Sequence, residues 1–339
     1  WESFTSKAID TSINGKEVTP NFNRLKSEGI FFSNMYSSGD RTHKGMSAIF
    51  SGYPALPTIS IIRYPKKSAR LRLISNQFKL YGYNSTFYYG GDPDYDFYKS
   101  YLLQGGFDQI ISEDAFSSKH KVTEWGIHDG AVASHMSSDL KNWKEPFFHS
   151  WLTLTSHVPF KIPVSPAFKG NDNASKFFSS LYFTDSVVNS FIENCKKQVW
   201  WKNTVVIIVA DHGHKLPETG KLPDDFKIPM LWLGGAVSEN KGLVFDRVIS
   251  QVDIATTLMK QMGWSSSSFP FSRNIVDITA PAFAFFSNST GFGFIQPGKY
   301  FVYDALGKRI RDEFGTITPK DVEAGKAMQQ FIYDDYLKK

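Results

Sequence analysis

From Ile30 to Gly235 the chain alternates short apolar runs with segments of helical periodicity. That rhythm is expected of a mostly parallel central sheet covered by helices on both faces. IFFSNMYS at 30–37, NSTFYYG at 84–90, FDQII at 107–111, PFFHSWLTLT at 146–155, TVVIIVA at 204–210 and IPMLWLGG at 228–235 read as strands. The last three are nearly continuous apolar runs, as expected of strands buried on both faces. Helices are expected from Pro20 to Glu28, from Thr42 to Phe50, and over 69–81, 96–104, 128–143, 176–200 and 250–262. The first has its own punctuation, with Thr19 as N-cap, Pro20 at the first helical position and Gly29 just past the end. Residues 282–304 read as short strands joined by Gly, Asn and Pro turns, an antiparallel meander, and a terminal helix over 320–338 closes the chain. With no internal repeat and no long Gly/Ser/Pro linker, the expected organisation is an α/β core over 1–235. A C-terminal part, 236–339, completes it and adds a small antiparallel β subdomain.

Composition removes several alternatives. A hydrophobic fraction of 41% with 21% charged residues excludes a disordered or fibrous chain. The single Cys195 excludes an internal disulfide and a cysteine zinc cluster. Net charge is +5, mild enough to suit an anionic ligand, and no block of five or six Lys/Arg marks a nucleic-acid stripe. The longest apolar stretches, VVIIVA at 205–210 and AFAFF at 282–286, fall far short of the roughly 18 residues that cross a bilayer. Glu2 directly behind Trp1 fits no signal peptide, so a processed or truncated piece of a longer protein is expected.

The densest chemistry is DHGH at 211–214, directly behind TVVIIVA. In open parallel sheets ligands collect at the carboxyl ends of strands, and a carboxylate beside an imidazole is half of a divalent-metal site. A plain strand-to-turn junction is the bland alternative for Asp211 and His212. In SSGDRTHKG a strand ends and a helix begins at Thr42, which places a hydroxyl in the positive end of the helix dipole among Arg41, His43 and Lys44. Taken alone, Thr42 there is an ordinary N-cap. Three weaker signals are Glu2 in ESF, His157 behind the strand at 146–155, and Asp92 with Lys99 amid the aromatics of YYGGDPDYDFYKS.

In its order, this set resembles the extracellular catalytic domain of lipoteichoic acid synthases and related phosphoglycerol transferases, in the sulfatase branch of the alkaline phosphatase superfamily. The motifs that carry the resemblance are Glu2-Ser3-Phe4, Thr42 after a Gly-containing turn, Ser156-His157-Val158-Pro159-Phe160, and Asp211-His212-Gly213. The resemblance implies that Glu2, Thr42, Asp211 and His212 hold one divalent cation, Mn²⁺ or Mg²⁺ with Zn²⁺ as an alternative, and that Thr42 is the nucleophile. It further implies that His157 serves the phosphoryl group or the leaving group, while Arg41, Lys44, Asp92, Lys99 and His214 are candidates for substrate contact. The implied reaction moves a phosphoglycerol-type or phosphoethanolamine-type head group from a phospholipid donor to a glycan or lipid acceptor through a phosphothreonine; ester hydrolysis on the same fold is the alternative. The implied setting is the outer face of a bacterial cytoplasmic membrane, with a first strand and transmembrane helices upstream of Trp1. Two departures stand out: no C/S-x-P-x-R sulfatase motif occurs, and Asp92, Phe97, Tyr98 and Lys99 replace the family's aromatic pair and arginine.

Overall fold

The computed structural model describes all residues from Trp1 to Lys339. Two sheets form the body. The first has strands β1 (Ile30–Tyr36), β5 (Val206–Val209), β6 (Lys227–Leu233), β7 (Leu243–Phe245) and β8 (Ile249–Ser250). Its order is β7-β1-β6-β5, with β8 also on β1. The second runs β3-β2-β4, from β2 (Asn84–Tyr89), β3 (Gln109–Ile111) and β4 (Phe147–Leu152), all parallel. In the first sheet β7 and β8 run parallel to β1, while β6 runs against both β1 and β5. An apolar run such as KIPMLWL reports burial on both faces but carries no sign of direction, which the connections decide.

The free edges of β4 and β5 face each other across an apolar cavity of about 540 Å³. Trp1 closes one end of it. Its amino group donates to the Val209 carbonyl (2.7 Å) and its own carbonyl accepts from the Asp211 N–H (3.2 Å), which is one rung of a parallel ladder beside β5. On the other side the Glu2 N–H donates to the Thr153 hydroxyl at the end of β4 (2.9 Å).

The helices flank these sheets: α1 (Pro20–Leu25), α2 (Thr42–Ser51), α3 (Ile74–Leu80), α4 (Tyr98–Gln104), α5 (Asp129–Asp139), α6 (Asn173–Cys195) and α7 (Asp253–Gln261). Several depart from the sequence expectation: α1 ends at Leu25 and α5 at Asp139, each followed by a 3₁₀ turn. The helix expected over 69–81 begins only at Ile74, and α6 ends at Cys195, with a separate 3₁₀ turn over Val199–Asn203. Thr19 makes no capping bond to α1, because its hydroxyl donates instead to the Ala8 carbonyl (3.0 Å). Other caps are local and conventional: Asp172 accepts from the Ser175 N–H at the start of α6, and Gly52 ends α2 in the left-handed region at φ 56°.

The meander extends further than expected, as four antiparallel strands: β9 (Ala284–Ser287), β10 (Gly291–Gln296), β11 (Lys299–Asp304) and β12 (Arg309–Phe314). Helix α8 (Pro319–Lys338), capped by a reciprocal Thr318–Asp321 box, lies across this sheet, where Gly325 leaves room for Phe292 and Phe301. The sheet is tied to the core by the Ser287 N–H to the Ser38 carbonyl (2.9 Å) and the Ser287 hydroxyl to the Ala55 carbonyl (2.7 Å). No helix is long and apolar enough to cross a membrane.

Candidate metal centre and active site

Asp211 and His212 leave the carboxyl end of β5, Glu2 follows the Trp1 rung, and Thr42 opens α2 with Arg41 as its N-cap. These segments, remote in sequence, meet at one point. Ligand atoms of Glu2, Asp211 and His212 lie within 4.8 Å of one another, and all three residues are buried. The Thr42 hydroxyl donates to Glu2 Oε2 at 3.2 Å, which brings the fourth residue of the set to the same carboxylate.

Helix α2 approaches closely enough for this only because residue 45 is glycine. A Cβ there would stand 1.9 Å from the Asp211 carbonyl oxygen. Gln251 fixes the other side of that turn, donating its amide to the carbonyls of Ala210 (2.8 Å) and Asp211 (2.7 Å).

Hydrogen bonds orient each ligand atom. His212 Nδ1 lies 2.7 Å from the Gly213 carbonyl, an acceptor only, so Nδ1 carries the proton and Nε2 presents a lone pair. Nε2 stands 3.6 Å from Glu2 Oε1 and 3.7 Å from Asp211 Oδ2. Asp211 Oδ1 accepts from the backbone N–H groups of Ser3 (2.9 Å) and His212 (2.7 Å), whereas Asp211 Oδ2 is buried with no partner. Ser3 takes φ 55°, unusual for a residue with a side chain, and is held there by that bond and by its hydroxyl on Glu2 Oε1 (2.7 Å). The Ser156 hydroxyl donates to the Glu2 carbonyl at 2.6 Å.

The electrostatics are those of a cation site. Burial, together with the adjacent Asp211 carboxylate, pushes the Glu2 carboxyl far above its ordinary range. Burial also opposes charge on Asp211, but the adjacent His212 and the backbone N–H groups it accepts from hold that carboxyl low. Burial disfavours a charged His212, and Asp211 and Glu2 outweigh it and raise its pKa. Two buried carboxylates, one with an orphaned oxygen, a hydroxyl and an imidazole nitrogen fit a small divalent cation; the oxygen-rich set suits Mn²⁺ or Mg²⁺ and admits Zn²⁺.

His157 lies on the loop after β4. Its Nδ1 is 2.8 Å from the Val158 carbonyl, which leaves Nε2 as a base, and burial lowers its pKa so that the ring is neutral. Its ring packs at a tilt against Trp125 (centroids 4.4 Å), which in turn meets Tyr95 (5.6 Å). Asp129 anchors this loop, accepting from the N–H groups of Leu154 (2.7 Å) and Thr155 (3.0 Å).

The remaining candidates lie apart from the four ligand atoms or are bonded elsewhere. Arg41 is exposed beside Thr42. Lys44 is buried, bonded to Asp40 (3.0 Å) and to the Pro57 carbonyl (2.9 Å). Lys99 reaches Asp94 (3.3 Å), and Asp92 accepts from the Asp94 N–H (2.8 Å). His214 packs against Phe177 (4.1 Å) and accepts from the Leu216 N–H; burial and then His212 push its pKa down to about 3.

Sequence reading missed Ser3, Thr153, Ser156, Gln251 and Trp125. Each acts on a partner far along the chain or through its own backbone, and neither has a periodic signature. Ser3 and Ser156 did fall inside recognised motifs, where their hydroxyls were the available signal.

Comparison with known proteins identifies the family and agrees with the fold. The sequence model of the sulfatase family matches residues 1–264. The chain is 26% identical over 235 residues to lipoteichoic acid synthase 1 of Bacillus subtilis, an alignment covering 62% of this chain and 35% of that protein. The chain thus spans about a third of the length of that relative. Among solved structures, a protein in the alkaline phosphatase superfamily from Vibrio parahaemolyticus superposes with a TM-score of 0.84 at 23% identity, covering 99% of this chain and 85% of the other. The lipoteichoic acid synthase LtaP from Listeria monocytogenes superposes with a TM-score of 0.83 at 15% identity, covering 99% and 90%.

Proposed function

The chain belongs to the sulfatase family, and from that premise we propose that it is the catalytic part of a metal-dependent phosphotransferase that moves a phosphoglycerol-type or phosphoethanolamine-type head group from a phospholipid to an acceptor hydroxyl. The observation that carries this reading is the Thr42 hydroxyl on Glu2 Oε2, at a helix N-terminus and beside the Asp211–His212 pair. Glu2, Asp211, His212 and Thr42 hold the cation, which when bound stabilises the threonine alkoxide and the charge developing on the phosphoryl oxygens. Thr42 Oγ1 attacks phosphorus, its proton passing to Glu2 Oε2, while the bond from phosphorus to the diacylglycerol oxygen breaks and that oxygen takes a proton from solvent. The resulting phosphothreonine ester is then opened by the acceptor hydroxyl, whose proton goes to neutral His157 Nε2 in this reading, while Thr42 Oγ1 regains its proton from Glu2. The similarity to lipoteichoic acid synthases supports a glycan or lipid acceptor and an extracytoplasmic setting in a bacterial envelope. Arg41, Asp92 and Lys99 belong in this proposal as outer contacts of the substrate, and His214 as a packing support behind His212.

The same proposal places the expected upstream strand in the groove between β4 and β5. The parallel rung at Trp1, the two free edges and the apolar lining support it.

The test is mass spectrometry of the Thr42 peptide after incubation with Mn²⁺ and mixed phospholipids. A glycerophosphoryl or phosphoethanolamine mass on that peptide is expected, and its identity names the head group. Thr42→Ala should lose the adduct and on the order of 10⁴-fold or more of turnover while melting as wild type does. Equal diacylglycerol release by both proteins sinks the nucleophile assignment. Head-group release without an acceptor would make the enzyme a hydrolase.

A further inference from the structure

Of the 38 basic and 33 acidic residues, eight basic and no acidic ones fall in residues 41–91, so this stretch carries +8 and the rest of the chain −3. The stretch starts beside Thr42. Three of its cations meet carboxylates from outside it: Lys44 on Asp40, Arg63 on Asp96 and Lys79 on Asp108. The densest part is RYPKKSARLR, Arg63 to Arg72, a compact turn around the helical turn Pro65–Ser68.

A structural role accounts for two of these side chains. Lys67 donates to the Tyr336 carbonyl (2.8 Å) and Arg70 to the Lys338 carbonyl (2.9 Å), so both cap the C-terminal, negative end of α8. Lys66 and Arg72 are exposed, with neither an ion pair nor a hydrogen bond. Beside them stand two apolar side chains open to solvent, Tyr64 (48% exposed), whose ring meets that of Tyr336, and Leu337 (73%). Cations with no counter-charge around a protruding tyrosine and leucine are the composition of a surface that sits at a lipid–water interface.

The patch is joined to the active centre. Arg63 Nε bonds Asp96 Oδ1 (2.7 Å), and Asp96 Oδ2 stands 4.0 Å from Nε2 of His43, the residue next to Thr42. Asp96 and Phe97 are both held at positive φ, 51° and 62°, in the turn this ion pair closes.

We propose that the Arg63–Arg72 turn with the end of α8 docks the protein on an anionic phospholipid surface and so presents the mouth of the Thr42 site to that surface. The choice of a membrane over a soluble polyanion follows from Tyr64 and Leu337, which a polyanion would leave in water. It rests on the lipid-substrate reading only for its purpose; the binding itself does not require catalysis.

The experiment is co-sedimentation of the protein with phosphatidylcholine vesicles, with and without phosphatidylglycerol, across a salt series. Binding should need phosphatidylglycerol and weaken as salt rises. Each cation near an anionic surface strengthens binding about fivefold, so Lys66→Ala/Arg72→Ala should bind about 25-fold more weakly. Its melting temperature and its turnover of a soluble short-chain phosphodiester should equal those of wild type. Tyr64→Ser should weaken binding without altering its salt dependence. Equal binding to both vesicle types, or unaltered binding by the double variant, overturns the proposal, as does capture by soluble polyphosphate with no vesicle binding. Loss of soluble-ester turnover in the wild type with vesicle binding intact would refute the catalytic reading and leave the docking surface standing.

Discussion

Two buried aspartates, Asp211 after β5 and Asp253 at the start of α7, show what burial alone does and does not signify. Asp253, 1% exposed at the start of α7, is saturated: Oδ2 accepts from the Ser250 N–H (2.9 Å) and Arg273 Nη2 (2.5 Å), and Oδ1 from the Arg273 N–H (2.9 Å) and Nε (3.0 Å). Asp211, 2% exposed, has one saturated oxygen and one orphan, and its nearest charged neighbour besides His212 is another carboxylate, Glu2. A saturated buried carboxylate holds chain segments together. An orphaned one beside a second carboxylate stores unfavourable electrostatics that a ligand relieves. By this criterion Asp129, which accepts from Leu154, Thr155 and Thr184, sides with Asp253 despite its place near His157.

The contrast can be broken most forcefully at its structural end. Asp253→Ala strips the carboxylate from half-buried Arg273 and from the Ser250 and Arg273 N–H groups and should cost about 3 kcal/mol in urea unfolding, with metal affinity of the surviving folded protein unaltered. A loss below about 1 kcal/mol would mean that the two aspartates do not differ as described. At the other end, Mn²⁺ at a hundred times its Kd should stabilise wild type by about 2.7 kcal/mol and Glu2→Gln hardly at all, while metal-free Glu2→Gln should melt no lower than wild type. Calorimetry of the four samples decides it, and a metal-free Glu2→Gln that melts well below wild type would show Glu2 to be structural.

The gentlest effect, read one pH unit at a time, is a slope of at most about 1.4 kcal/mol per pH unit for each group that titrates. Glu2 and His212 both have raised folded-state values, so their contribution to metal-free stability is full below their unfolded values and fades as pH rises through the folded ones. For Glu2 that window runs from about 4.5 toward about 8. Metal affinity should climb across the same window, because binding needs the deprotonated carboxylate. Thermal melts with and without Mn²⁺ from pH 5 to 8 read both signs, and metal-free stability that rises with pH would contradict the crowding of Glu2 and Asp211.

Much of this was legible in the chain. The Asp211–His212 pair could be read because strand and ligands are contiguous, and Thr42 because a hydroxyl follows a glycine turn at a helix start. Glu2 became visible only through motif order. The bonds that aim these groups were not legible: Ser156 to the Glu2 carbonyl spans 154 positions, and Gln251 to the Asp211 carbonyl spans 40. Gly45 looked like any helical glycine until Asp211 was set against it.

The sequence by itself determined the longer strands and helices of the core, though not the short strands β7 and β8, because periodicity and caps are local properties that a two- or three-residue strand is too short to display. Only the tertiary structure decided that β6 runs against its neighbours, that Thr19 serves Ala8 instead of α1, and that Asp211 keeps one oxygen without a partner. Each of these depends on which distant segment lies beside the group in the folded chain, and that is settled by packing in three dimensions.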